Sequence, residues 1–106
     1  MNTTSNAVQM SNREFFQQKE AAVLRQITGV RELASAKSDA RPALIQKYPD
    51  AAFALYITSN LFFHDRELTN IHMNAYTAIL NGERLADIRF RFVKEMDAYD
   101  KRHNWD

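Results

Sequence analysis

The side chains best suited to bind a metal or move a proton near neutral pH in this 106-residue chain are its three histidines. His64 is followed at once by Asp65, with Glu67 two positions further on, and His72 lies eight residues beyond His64. On one helix that separation is about two turns, or some 12 Å, too far for the two rings to share a metal. The zinc-protease spacing, with two histidines four apart on one helical face, is absent. A histidine beside carboxylates at such a site reads as a capping or hydrogen-bonded residue, and no metal site is expected. His72 falls near an apolar phase set by Leu68 and Ala75, with Tyr76 one turn on. It could serve as a buried proton switch, but the favoured reading is a core histidine satisfied by a neighbouring Asn or Tyr hydroxyl. Asn60, Asn70 and Asn74 are read in the same way, as polar groups that could fix the register of packed helices.

Other catalytic chemistry finds little support. The absence of cysteine excludes thiolate catalysis, disulfides and cysteine-ligated metals. The two glycines stand alone, so there is no phosphate-cradling loop. Ser11 and Ser59 have no neighbouring base in a nucleophile motif, and no carboxylate pair sits in an apolar setting that would separate its two pKa values. The chain is therefore expected to be non-catalytic and to need no cofactor. Separated residues that converge in space are the one route to catalysis this leaves open.

A nucleic-acid surface is the alternative function. At about 100° per residue, Arg84, Arg91 and Arg102 fall almost in line on a C-terminal helix, with Lys94 and Lys101 beside them, on the side away from Leu85 and Phe92. Such a stripe can track phosphates. Asp87, Glu95 and Asp97 interleave with it at helix-pair spacing, so a solvated, internally paired face is favoured. Charge by region agrees: residues 1–48 carry a net +3, residues 49–82 a net −2, and residues 83–106 are neutral. That is neither the acidic surface of a DNA mimic nor the basic domain of a non-specific binder.

The elements that must position these residues are helices. Few Gly and Pro, no hairpin turn flanked by alternating β-branched residues, and no internal repeat point to an all-α single domain over residues 11–106. Its organising stretch runs from Pro49 to Gly82. Ala51 to His64 carries no charge, the Asp65-Arg66-Glu67 knot follows, and Leu68 to Asn81 is again uncharged. A helix so poor in charge is covered by protein on most of its circumference. Pro49 suits a first helical position, Asp50 complements the helix dipole, and Asn81-Gly82 is a stop signal. Phe53, Ile57, Leu61, His64, Leu68, Ile71, Ala75 and Ile79 keep one phase through the knot. This favours one helix of about 48 Å over a hairpin that turns at the knot with His64 or Asp65 capping its second arm. Its polar interruptions leave neither half long enough to span a membrane.

Around that element the pattern places a small bundle of three main helices and one short one. Helix 1 opens with a capping box at Ser11 and Glu14 and runs to Ser35. Its apolar stripe is Phe16, Val23, Ile27, Val30 and Ala34, widened by Leu24 and Leu33. Gly29 inside it marks a close approach of another helix, or a bend. A short helix spans about Asp39 to Tyr48, and Pro49 forces the next to start on a new axis. The last main helix runs from Glu83 to His103 on a stripe of Leu85, Ile88, Phe92, Met96 and Tyr99, while Phe90 and Val93 extend apolar surface to a second side. Met1 to Met10 is polar and aperiodic, lacks a signal-peptide pattern, and reads as a mobile N-terminal tail; the cytoplasm is the expected compartment.

Excluding chemistry leaves a surplus of aromatic surface. The expected function is that of a regulatory or accessory protein that binds another protein, with Phe53, Tyr56, Phe62, Phe63, Tyr76 and Phe90 as candidate contacts. Its concrete form is a small inhibitor of a larger enzyme or nucleic-acid machine, of the sort mobile elements carry. A homodimer is also expected, because a 48 Å central helix outreaches its neighbours and leaves apolar side chains wet.

Overall fold

Two residues with non-helical backbone decide how this chain departs from a few long rods. The computed structural model describes residues 11–103, so the N-terminal tail expected over Met1 to Met10 lies outside the described residues. The described chain is all-α, with six helices and no strand: α1 (Asn12–Arg25), α2 (Val30–Ser35), α3 (Arg41–Lys47), α4 (Pro49–Ser59), α5 (Arg66–Leu80) and α6 (Leu85–His103). The helical bundle matches the sequence pattern, but two of the three expected main helices are each broken in two.

The first break corrects the single central helix over 49–82. Asn60 has φ −137° and ψ 78°, which ends α4. Its side-chain amide donates to the Tyr56 carbonyl at 2.8 Å, satisfying one of the acceptors that a helix end leaves open. Asp65 then starts α5 as its N-cap, Oδ1 accepting the backbone N–H of Glu67 at 2.8 Å and of Leu68 at 3.2 Å. Between them Thr69 Oγ1 accepts the Phe63 N–H at 3.0 Å and donates to the Phe63 carbonyl at 3.2 Å, so the loop is pinned to α5. The charged knot is thus a capping signal. The apolar phase survives it because both arms face one core. Without a rod of about 48 Å, no length of central helix is left over that would call for a dimer.

The second break divides helix 1. Gly29 sits at φ +95° and is the N-cap of α2, a conformation that glycine adopts without steric penalty. A Cβ there would stand 2.2 Å from Cγ of Tyr48, the residue that precedes Pro49. Bend and close approach are therefore one feature. Pro49 opens α4 on a new axis, and Asn81-Gly82 ends α5 with Gly82 at φ +78°, both as the sequence indicates.

The core is built on α5, which buries Ile71, His72, Ala75, Tyr76, Ala78, Ile79 and Leu80. Ala54 and Ile57 of α4 and Ile88 of α6 complete the main cluster, with Val23, Leu24 and Ile27 packed against it. Leu33 of α2 is fully buried, and Arg41 holds that helix's end by donating to the Leu33 carbonyl at 2.7 Å. No residue of α1 is buried. Phe16, expected in its core stripe, is 46% exposed because the stripe runs on past the body that covers Val23 and Leu24. Asn60, Asn70 and Asn74 are exposed and so set no buried register. None of the described helices is long and apolar enough to cross a membrane.

Candidate interaction surface

An apolar helix must cover its polar atoms before it can offer a surface, and His72 is where α5 does so. Its ring is buried, with Nδ1 2.9 Å from the Leu68 carbonyl and Nε2 3.2 Å from the Tyr56 hydroxyl. A carbonyl only accepts, so Nδ1 carries the proton; in the neutral ring Nε2 then accepts from Tyr56. Phe63 and Phe92 close around the ring at centroid distances of 4.4 and 5.0 Å, and Phe53 meets Phe92 edge-on at 5.4 Å. An edge-to-face pair such as Phe53–Phe92 adds about 0.5–1.5 kcal/mol beyond the area it buries. This is the satisfied core histidine expected from its spacing, and it locks loop, α4, α5 and α6 together.

Beside the cluster, the loop turns the other way. Phe63 goes in, and Phe62, its neighbour in the chain, stands 85% exposed. On one side of it Thr69 pins the Phe63 backbone to α5, and on the other, beyond Leu61, the Asn60 amide closes the last turn of α4. Tyr56 is 47% exposed while its hydroxyl reaches His72. On the outer side of α6, Phe90 is 65% exposed beside exposed Val93, and the Lys94 ammonium lies over the Phe90 ring at 5.3 Å. Of the six aromatic candidates, Phe62, Phe90 and Tyr56 reach solvent. Phe53 and Phe63 are half-buried among rings, and Tyr76 is buried in the core, donating to Glu20 at 3.0 Å. Burial and the Glu20 carboxylate push the Tyr76 hydroxyl up to about 12.

The basic stripe is partly spent on ion pairs, though with partners other than those its spacing suggests. Arg91 pairs with Glu83, ahead of α6, at 2.5 Å, and Arg102 pairs with Glu67 of α5. His103 also meets Glu67, at 3.1 Å. Arg84, Lys94 and Lys101 are exposed on α6 or just before it. At the same end Tyr99 donates to Asp65 Oδ2 at 2.6 Å, so the carboxylate that caps α5 also clasps α6. That hydrogen bond, followed by the Leu68 N–H, holds the Asp65 carboxyl below its ordinary value, and the Tyr99 hydroxyl is raised in return.

Among the described residues no three His, Cys, Asp or Glu side chains gather as a metal site, and every buried side-chain nitrogen or oxygen has a hydrogen-bond partner. The groove between α5 and α6, about 380 Å³ around Asn74, Ala78, Ile88 and Arg91, is open. Glu67 and Glu95 line its continuation, where Glu67 is engaged by Arg102 and His103. Comparison with protein-family models, curated proteins and solved structures gave no match.

Sequence reasoning missed two features. Phe15 is 51% exposed beside Phe16, their rings edge-on at 5.4 Å; adjacent aromatics about 100° apart on a helix were the available signal. The Tyr99 to Asp65 clasp spans 34 residues and had no local signal.

Proposed function

We propose that this chain is a non-catalytic protein that acts by binding another protein, with Phe62 as its leading contact. The observation that carries this reading is a phenylalanine almost wholly in water beside a residue, Phe63, whose backbone Thr69 holds against α5. Burying such a ring yields about 1.5–3 kcal/mol, and the hydrogen bonds from Thr69 to the adjacent Phe63 backbone reduce the loop ordering that a partner would have to bring about. Tyr56 and Phe90 supply further aromatic surface of the kind that dominates protein interfaces. Inhibition of a larger enzyme or nucleic-acid machine, in the service of a mobile element, is the form of this function we favour. The nucleic-acid alternative, through Arg84, Arg91, Lys94, Lys101 and Arg102, is weaker because Arg91 and Arg102 are already paired with carboxylates.

The test starts with a photo-crosslinking phenylalanine analogue at position 62, used to capture and identify the partner in extract of the source cells. Affinity for that purified partner is then compared between the wild type and Phe62→Ala. A loss of about tenfold or more is expected. Equal affinities for the two forms would end the reading.

A further inference from the structure

Asn81 is the one asparagine of the chain that precedes a glycine. In such a pair the glycine nitrogen can reach the side-chain amide carbon of the asparagine, because no Cβ on the second residue stands in the way. The other asparagines among the described residues are followed by Arg13, Leu61, Ile71 and Ala75, whose side chains hinder that approach. Asn81 and Gly82 are both exposed, and a Cβ placed on Gly82 would meet no atom beyond its chain neighbours within 4 Å. The surroundings leave the pair unshielded.

What shields it is the backbone. Asn81 is the C-cap of α5 at φ −81° and ψ −1°, and Gly82 follows at φ +78°. At that ψ the Gly82 nitrogen eclipses the backbone nitrogen of Asn81 and stands away from its side chain, whereas closing a ring through Cγ needs it to eclipse Cβ. The Gly82 N–H also donates to the Ile79 carbonyl at 3.1 Å and the Glu83 N–H to the Ala78 carbonyl at 3.2 Å, the paired bonds of a Schellman ending. Turning the Gly82 nitrogen toward the side chain breaks both.

We propose that Asn81 is a site of deamidation by its own backbone, and that the C-cap of α5 holds the reaction off until this turn opens. In the open turn the Gly82 nitrogen gives its proton to hydroxide or a buffer base and attacks Cγ of Asn81. A C–N bond forms there, the bond from Cγ to the side-chain nitrogen breaks, and that nitrogen takes a proton from water and leaves as ammonia. The product is a five-membered cyclic imide. Water then adds to one of its two carbonyl carbons and opens the ring, giving aspartate or, where the main chain now runs through Cβ, isoaspartate. Both products disfavour the cap they replace. A carboxylate at 81 sits at the negative end of the α5 dipole, two residues from Glu83. Isoaspartate adds a methylene to the main chain inside the turn and shifts the Glu83 N–H away from the Ala78 carbonyl. The change falls in the connection between α5 and α6, whose Ile79 and Ile88 share the core.

The test compares the folded chain with the same chain unfolded in urea, both held in mildly alkaline buffer at physiological temperature. A free peptide spanning residues 77–87, with and without urea, corrects for the denaturant. Conversion is read by peptide mass, and isoaspartate by methyl labelling with an isoaspartyl methyltransferase. In the unfolded chain Asn81 is expected to convert about tenfold or more faster than Asn12, Asn60, Asn70 and Asn74, and folding is expected to slow it by about tenfold or more. An Asn81 no faster than the others in the unfolded chain overturns the site, and equal rates in the folded and unfolded chains overturn the role of the cap. The converted chain, separated by ion exchange, is expected to melt below the wild type; an unchanged melting temperature overturns the loss of the cap.

Discussion

Helices α1 and α5 are almost the same length, 14 and 15 residues, yet α5 buries seven side chains and α1 none. Their charge content already separates them. Beyond Arg66 and Glu67 in its first turn α5 has no charged residue, whereas α1 carries Arg13, Glu14, Lys19, Glu20 and Arg25 spread along its length. Both begin with a good cap, Ser11 with Glu14 in one case and Asp65 in the other. The caps differ in what stands behind them: Asp65 is also held by Tyr99 from α6, while among the described residues the Ser11 box is closed by Glu14 of α1. A local start signal therefore places a helix, and tertiary packing decides whether it bears weight.

The largest expected effect tests that division directly. Ile79→Ala removes a side chain buried among α4, α5 and α6 and should cost about 2–5 kcal/mol in a denaturant melt. Phe16→Ala, a larger truncation on paper, should cost less than about 0.5 kcal/mol. Comparable losses at the two sites would mean that α1 is integrated into the fold after all.

Acid sharpens the contrast between the caps. The Asp65 carboxyl titrates below its ordinary value near 3.8 in the folded chain. Between the folded and unfolded values the unfolded chain binds more protons, so this group's contribution is complete above the ordinary value and is lost as pH falls through the folded one. Thermal melts from pH 6 downward should show this loss in the wild type and a shallower one in Asp65→Asn, which keeps a capping oxygen without the charge. Identical slopes would remove Asp65 from the account.

The smallest effect belongs to the other cap. Ser11→Ala should speed amide exchange over the first two turns of α1 while moving the global melting temperature by no more than a degree or two, because unfolding there is local. A melting temperature that falls by several degrees would show the projecting end coupled to the core.

Much of this architecture was legible in the sequence where signals are local or periodic. The capping box at Ser11, the fresh start at Pro49, the stop at Asn81-Gly82 and the α6 core residues Ile88 and Tyr99 all stand where spacing puts them. His72 was legible as a satisfied core residue for the same reason. The turn at the knot was not, because a phase continuous from Phe53 to Ile79 looks the same whether one rod or two arms face the core; the deciding bonds come from Asn60 and Thr69, whose roles depend on partners several residues away. The candidate surface divided along the same line. That Phe62 points out while Phe63 points in depends on the loop that Thr69 pins, and that Phe16 lies beyond the body depends on where α5 ends relative to α1.

Gly29 and Tyr48 carry a consequence for how this chain can vary. Of the side-chain-bearing residues, asparagine is the one that best tolerates a left-handed backbone, so it would be the natural replacement at position 29 on conformational grounds. Tyr48 bars it, since any Cβ there meets the ring. The two positions are thus bound into a single unit of inheritance: a change at 29 becomes admissible only after 48 has lost its ring, and the order of the two events matters. Homologous chains in which 29 has changed should show 48 changed as well, whereas a change at 48 alone is admissible.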